Sequence, residues 1–88
     1  MAYTIDFSDR AKQHLAFFKK TGDRAIIKKI FKLIQDIEKT PFEGVGKPEA
    51  LKYDLSSYWS RRINREHRMI YKIMDEDIIE IYSLKGHY

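Results

Sequence analysis

The feature that most constrains this chain is a change of hydrophobic period near its middle. Between residues 9 and 40 apolar side chains recur every three to four positions, and from residue 51 onward every second position. The first spacing lines one face of a helix and the second one face of a strand. A chain with both must build a helical layer and a sheet layer and pack one apolar face on the other. Ser8 is a candidate N-cap for a helix carrying Ala11, Leu15 and Phe18, which Gly22 ends. Asp23 can cap a second helix with an apolar stripe of Ile27, Ile30, Phe31, Ile34 and Ile37, closed by Pro41. Joined through Thr21-Gly22-Asp23, the two make an αα-hairpin. Ahead of them Tyr3, Ile5 and Phe7 alternate as in a short strand.

Four alternating segments follow: Leu51, Tyr53 and Leu55; Trp59, Arg61 and Ile63; Met69, Tyr71 and Ile73; and residues 78–84. The turns between them, Ser56-Ser57, Asn64-Arg65 and Asp75-Glu76-Asp77, are short enough for an antiparallel meander. The expected fold class is therefore α+β, in the order β-α-α-β-β-β-β. An N-terminal strand and a helical hairpin pack on one face of a twisted antiparallel sheet, and the other face is at least partly open. With no repeats, linkers or low-complexity tracts, residues 1–88 are expected to form a single domain.

A hydrophobic content of 43% with 34% charged residues is that of a globular protein and excludes a disordered one. The sequence has no cysteine, which excludes disulfides, zinc ribbons and thiol nucleophiles. Asp6, Asp9 and Arg10 break up the first residues, and no apolar run approaches the ~20 residues a membrane span needs. A cytoplasmic protein with no membrane partner is expected. The net charge of +4 points to a polyanionic partner. Residues 9–40 hold nine basic side chains against four acidic ones, and Arg24, Lys28 and Lys32 recur every four positions along one face of the second helix.

A second basic group, Arg61, Arg62, Arg65 and Arg68, lies in the strand region. A hairpin turn centred on Arg65 sets Arg62 opposite Arg68 on one face of the sheet. Two like charges so placed are destabilising unless an anion lies between them, which argues for a phosphate site, or unless Glu66, Asp54 or another carboxylate neutralises them. Arg61 points to the opposite face and reads as structural. His67 points away from Arg68 and reads as a structural hydrogen-bonding residue, and His14 as a solvent-exposed one. Trp59, with Tyr58, Tyr71 and Tyr82, has the composition of a base-stacking platform, but Trp59 is better placed in packing. The three histidines are too dispersed for zinc and residues 75–77 lack the calcium-loop pattern, so neither metal nor other cofactor is expected. His87, with an ordinary pKa of about 6.5, suits a general acid near neutrality. A terminus frays unless tied down, and here the segment 78–84 precedes it directly. Tyr88 can hydrogen-bond a phosphate or stack on a base.

Taken in order, Pro41-Phe42-Glu43-Gly44-Val45-Gly46-Lys47-Pro48-Glu49, Leu51-Lys52, Tyr58-Trp59-Ser60-Arg61-Arg62-Ile63, Glu66-His67-Arg68-Met69-Ile70-Tyr71 and His87-Tyr88 closely resemble the YoeB/Txe group of bacterial toxins in the RelE superfamily. The resemblance runs over nearly the whole chain. It implies a compact RelE-like fold and a type II toxin–antitoxin toxin that cleaves mRNA in the ribosomal A site without a metal. Alone, Glu49 reads as an ordinary exposed glutamate; the resemblance makes it the catalytic carboxylate, the base that takes the 2′-hydroxyl proton. It likewise implies that Lys52 and Arg62 bind the phosphate and substrate, and that Arg68 stabilises the transition state. His87 would protonate the departing 5′-oxygen beside Tyr88. Arg24, Lys28 and Lys32 would meet ribosomal RNA. The implied partners are the ribosome and mRNA, and a cognate antitoxin of the YefM/Axe kind whose disordered C-terminal segment covers the active site. Operator DNA would be met only through that complex. Gly86 stands where many relatives carry an aromatic residue, which removes stacking from that position and leaves the tail more freedom. The alternative is a toxin of the same fold that inhibits by binding gyrase or RNA; Glu49, Arg68, His87 and Tyr88 together argue against it, since binding alone needs no acid/base pair.

Overall fold

The computed structural model describes residues 3–51, 57–75 and 77–86. In chain order the elements are β1 (Thr4–Phe7), α1 (Asp9–Thr21), α2 (Arg24–Lys39), β2 (Glu49–Ala50), β3 (Trp59–Arg62), β4 (Arg68–Asp75) and β5 (Ile78–Ser83). The expected strand over 51–55 is realised at Glu49–Ala50, and Lys52, Tyr53, Asp54 and Leu55 lie outside the described residues.

Local chemistry sets the helix ends. The Ser8 hydroxyl accepts the Ala11 N–H at 3.0 Å and donates to the Tyr82 carbonyl at 2.7 Å, so one side chain caps α1 and ties it to β5. Gly22 adopts a left-handed conformation at φ 72°, and the N–H groups of Gly22 and Asp23 return to the carbonyls of Lys19 and Phe18. Asp23 then caps α2 by accepting the Ile26 N–H at 3.1 Å.

The sheet order is β1-β5-β4-β3-β2. Strands β2 to β5 form the expected antiparallel meander, but β1 runs parallel to β5, with Thr4 opposite Ile78 and Phe7 opposite Ile81. The sheet is therefore mixed: antiparallel through the expected meander, with β1 added in parallel at its edge, a pairing the spacing left open. The αα-hairpin leaves β1 and its meander on opposite sides of a long connection. The outer edge of β5, which would otherwise present unpaired N–H and C=O groups, takes up β1.

The core lies between the helices and one sheet face. It joins Ala11 and Phe18 of α1, Ile26, Ile30, Leu33, Ile34 and Ile37 of α2, and Met69, Tyr71, Ile79, Ile81 and Leu84. Ile30 is 0% exposed, whereas Phe31, placed on the same stripe by periodicity, is 45% exposed and sits one residue around the helix from it. Leu33 takes the buried position instead. An aspartate at position 30 would bury a carboxylate with no partner. Ile30→Asp is expected to cost more than about 4 kcal/mol, read as loss of the cooperative thermal transition, while Phe31→Asp stays within about 1 kcal/mol of the parent.

Candidate active site

The site is assembled around one buried cation. Arg61 of β3 is 0% exposed and points to the helix side of the sheet. Its Nη1 donates to Asp36 Oδ2 at 2.5 Å and to the Val45 carbonyl at 3.0 Å. Its Nη2 donates to the carbonyls of Thr40 at 2.5 Å and Glu43 at 2.8 Å, and its Nε to the Tyr71 hydroxyl at 3.1 Å. The Tyr71 hydroxyl in turn donates a hydrogen bond to the Pro41 carbonyl at 2.6 Å. Five acceptors on α2, on β4 and in the following loop thus converge on the five donors of one guanidinium. Asp36 Oδ2 also accepts the Val45 N–H at 3.0 Å.

That network folds the loop of residues 40–48 onto β3. Gly44 passes so close that a Cβ there would lie 2.1 Å from Asp36 Oδ2. At Gly46, with φ of 86°, a Cβ would lie 2.9 Å from Leu33 and 3.1 Å from the Arg62 carbonyl. The Gly46 carbonyl accepts the Arg62 N–H at 2.7 Å. The loop therefore delivers Lys47 and Glu49 to the other face of the sheet, where Glu49 lies opposite Ser60.

On that face Gly46, Lys47, Glu49, Leu51, Ser60, Arg62 and Arg68 line a polar cleft of about 150 Å³. Arg62 and Arg68 are register partners on β3 and β4, as the turn geometry requires. Arg68 Nη1 donates to the Asn64 carbonyl at 2.9 Å. Among the described residues the salt bridge between fixed charges is Arg61–Asp36, and Glu66 lies 3.8 Å from the His67 ring, so neither cleft arginine pairs with a described carboxylate. Asp54, the other suggested partner, lies outside the described residues. The cleft thus sets two cations in register, with one carboxylate in the same lining.

Of the residues singled out in the sequence, Glu49, Arg62 and Arg68 meet in this cleft, while Lys52, His87 and Tyr88 lie outside the described residues. Gly86, immediately before His87, is bonded to the cleft wall: its carbonyl accepts the Arg68 N–H at 2.9 Å and its N–H donates to His67 Nδ1 at 3.0 Å. The freedom expected of a glycine at that position is thus taken up by two hydrogen bonds. Arg24, Lys28 and Lys32 are exposed along α2, away from the cleft lining. Trp59 packs on Phe42 with ring centroids 4.9 Å apart and Tyr71 is in the core, which leaves Tyr58 and Tyr82 paired at 5.3 Å. Sequence reasoning missed Lys47 and Ser60 in the cleft lining. Ser60 was legible, being two residues before Arg62 and hence on the same strand face.

His14, expected to be solvent-exposed, is half-buried, and its Nδ1 accepts the Leu84 N–H at 3.1 Å. Burial, then the nearby Arg10, Lys85 and His67, hold its pKa below the usual 6.5. The Arg61 hydrogen bond in turn holds Asp36 below its usual 3.8. Both signs make acid destabilising. Below pH 6.5 the unfolded chain takes up a proton that folded His14 refuses, and below pH 3.8 it takes up one that folded Asp36 refuses. Thermal stability is expected to fall as pH drops from 7 to 5, and again below 4. In His14→Asn the slope of the first stage should be shallower, as melting curves at each pH would show.

Known proteins place these features in context. Residues 7–88 match the YoeB-like toxin family of bacterial type II toxin–antitoxin systems. The toxin YoeB of Escherichia coli (strain K12) is 44% identical over 82 residues, covering 93% of this chain and 95% of that protein. A YoeB/ParE toxin from Agrobacterium tumefaciens superposes with a TM-score of 0.90 at 36% identity, over 97% of this chain and 99% of that one. YoeB in the heterotetrameric YoeB–YefM toxin–antitoxin complex from Staphylococcus aureus gives 0.86 at 42% identity, with both chains covered completely. With its sequence matched over residues 7–88 and its layers superposing on solved toxins, this chain belongs to the YoeB-like toxin family of bacterial type II toxin–antitoxin systems.

Proposed function

We propose that this protein is a ribosome-dependent mRNA endoribonuclease that acts without a metal, by attack of an RNA 2′-hydroxyl on its own 3′-phosphate. The observation that carries the reading is the cleft in which Arg62 faces Arg68 in register and which Glu49 also lines. Such a pair is a poor structural device but a good receptor for a phosphodiester. Its charge is fixed before the substrate arrives and gains most when the phosphorane-like transition state carries extra negative charge. Glu49 takes the 2′-hydroxyl proton, Arg68 stabilises the transition state, and Arg62 with Lys52 holds the phosphate. His87 protonates the 5′-oxygen as the P–O bond breaks, and Tyr88 hydrogen-bonds the scissile phosphate. The products are a 2′,3′-cyclic phosphate and a free 5′-hydroxyl. The A site would supply the in-line alignment that an 88-residue protein does not impose alone.

The exposed series Arg24, Lys28 and Lys32 supports a contact with ribosomal RNA. The solved YoeB–YefM complex supports an antitoxin of that kind as partner here, with operator DNA reached through the complex. Among the described residues no helix is long and apolar enough to cross a membrane. We take residues 1–88 as one domain acting in the cytoplasm.

Induction of the unmutated gene without its antitoxin is expected to arrest bacterial growth, and mRNA ends mapped in a translation mixture should carry the two termini above. Cleavage should persist with EDTA wherever the ribosome is kept intact. Growth arrest with uncut mRNA would favour instead a toxin that inhibits by binding, and harmless accumulation would remove the toxin activity altogether.

A further inference from the structure

We propose that His14 and His67 are positioning residues that clasp the C-terminal segment: their Nδ1 atoms accept the main-chain N–H groups of Leu84 and Gly86 and hold that segment in register with Arg68. The effect of the clasp on cleavage rests on the nuclease reading, whereas the clasp itself does not.

The need for it follows from the sheet. The β5 ladder ends at Ser83, which pairs with Ile70, so residues 84–86 have passed beyond regular strand pairing. Their N–H groups need partners from elsewhere. Leu84 is fully buried, and its N–H meets the imidazole of His14 from α1. Ser83 Oγ lies 3.5 Å from the same nitrogen and 3.4 Å from the Lys85 carbonyl. Two residues on, Gly86 meets the imidazole of His67 from the head of β4, and its carbonyl returns to the Arg68 N–H. Two rings from separate elements thus hold alternate amides of one short segment. The same Arg68 whose side chain lines the cleft closes the arrangement through its main chain.

Each ring can act in only one tautomer. An Nδ1 that accepts an N–H has no proton, so the neutral ring carries it on Nε2. At His67 the Gly86 N–H sets this tautomer, with a Glu66 carboxylate oxygen 3.8 Å from Nε2, and the ring packs edge-on against Phe18 at 5.2 Å. Around His14 stand Arg10, Lys85 and His67. Lys85 itself lies over the Phe17 ring at 4.2 Å. Protonation of either imidazole at Nδ1 would set two N–H groups against each other and open that half of the clasp. A hydrogen bond from the main chain reads the acceptor and not the residue that donates, so the clasp tolerates a glycine at position 86.

The two amide isosteres of histidine separate this role from ordinary packing. In His67→Asn the side-chain oxygen takes the place of Nδ1; in His67→Gln it takes the place of Nε2, out of reach of Gly86. Amide exchange by NMR is expected to quicken at Gly86 by about fivefold or more in H67Q and to stay near the parent rate in H67N. His14→Gln and His14→Asn should behave likewise at Leu84. On translating ribosomes H67Q should lower kcat by about tenfold or more with little change in KM, with H67N restoring most of it. Unchanged Gly86 exchange in H67Q, or an H67N variant as impaired as H67Q, would overturn the proposal, as would faster exchange with an unaltered kcat. If exchange responds as stated but the unmutated protein cuts nothing, the clasp stands and the nuclease reading falls.

Discussion

Replacing Arg68 with alanine is expected to slow mRNA cleavage on ribosomes by at least about a hundredfold, the scale for removing one preorganised group from the place where transition-state charge develops. The variant should remain folded. Arg68 is half-buried and its guanidinium is held by hairpin carbonyls, not by a buried carboxylate among the described residues, and its removal relieves the repulsion from Arg62 opposite. The loss should therefore appear in kcat with the melting temperature nearly unchanged. His87→Gln should lose a similar factor through the missing general acid. A mRNA carrying a 2′-deoxy nucleotide at the cleavage position gives the decisive control, because it removes the proposed nucleophile and leaves base pairing intact. Continued cutting of that substrate would make water the nucleophile, and the roles given to Glu49 and His87 would have to be abandoned.

The neighbouring arginine should give the opposite result. Arg61→Ala is expected to destabilise the protein by about 3 kcal/mol or more, because the fully buried guanidinium is the donor for several acceptors shut off from water, although Asp36 itself is partly exposed. It strands the Asp36 carboxylate, three loop carbonyls and the Tyr71 hydroxyl around an empty space. For a chain of this size each kcal/mol is worth roughly 4–8 °C, so the melting temperature should fall by more than about 10 °C. Arg61→Lys should rescue little, since one ammonium has three donors and cannot span acceptors arrayed around a planar fork. Arg62→Ala, one residue along and on the other face, should spare the melting temperature and reduce cleavage. If Arg61→Ala melts normally, the account of how residues 40–48 are held in place fails, and with it the explanation for the position of Glu49.

This contrast between adjacent arginines is legible in the sequence. Strand geometry alternates faces, and a turn centred on Arg65 fixes which residues oppose one another, so the facing of Arg62 and Arg68 and the inward turn of Arg61 follow from spacing. The helices were legible for the same reason. Caps at Ser8 and Asp23, the glycine at position 22 and the three-to-four spacing of apolar residues act within a few residues of one another.

What spacing cannot carry is the choice among distant partners. Nothing local to Thr4–Phe7 says that its edge meets β5 in parallel; that depends on which edge remains open once the meander has closed. Phe31 has the right period for the core and is left outside because Ile30 and Leu33 already fill the contact with the sheet. His14 looked like a solvated helix residue until Leu84, 70 positions later, brought an N–H to it. The network on Arg61 likewise spans separations of 10 to 25 residues. By itself the sequence determined the elements, their faces and the pairing of the cleft arginines, since these arise from short-range geometry. Only the tertiary structure decided which carbonyls and imidazoles would satisfy groups cut off from water, because those partners become neighbours only when the layers close.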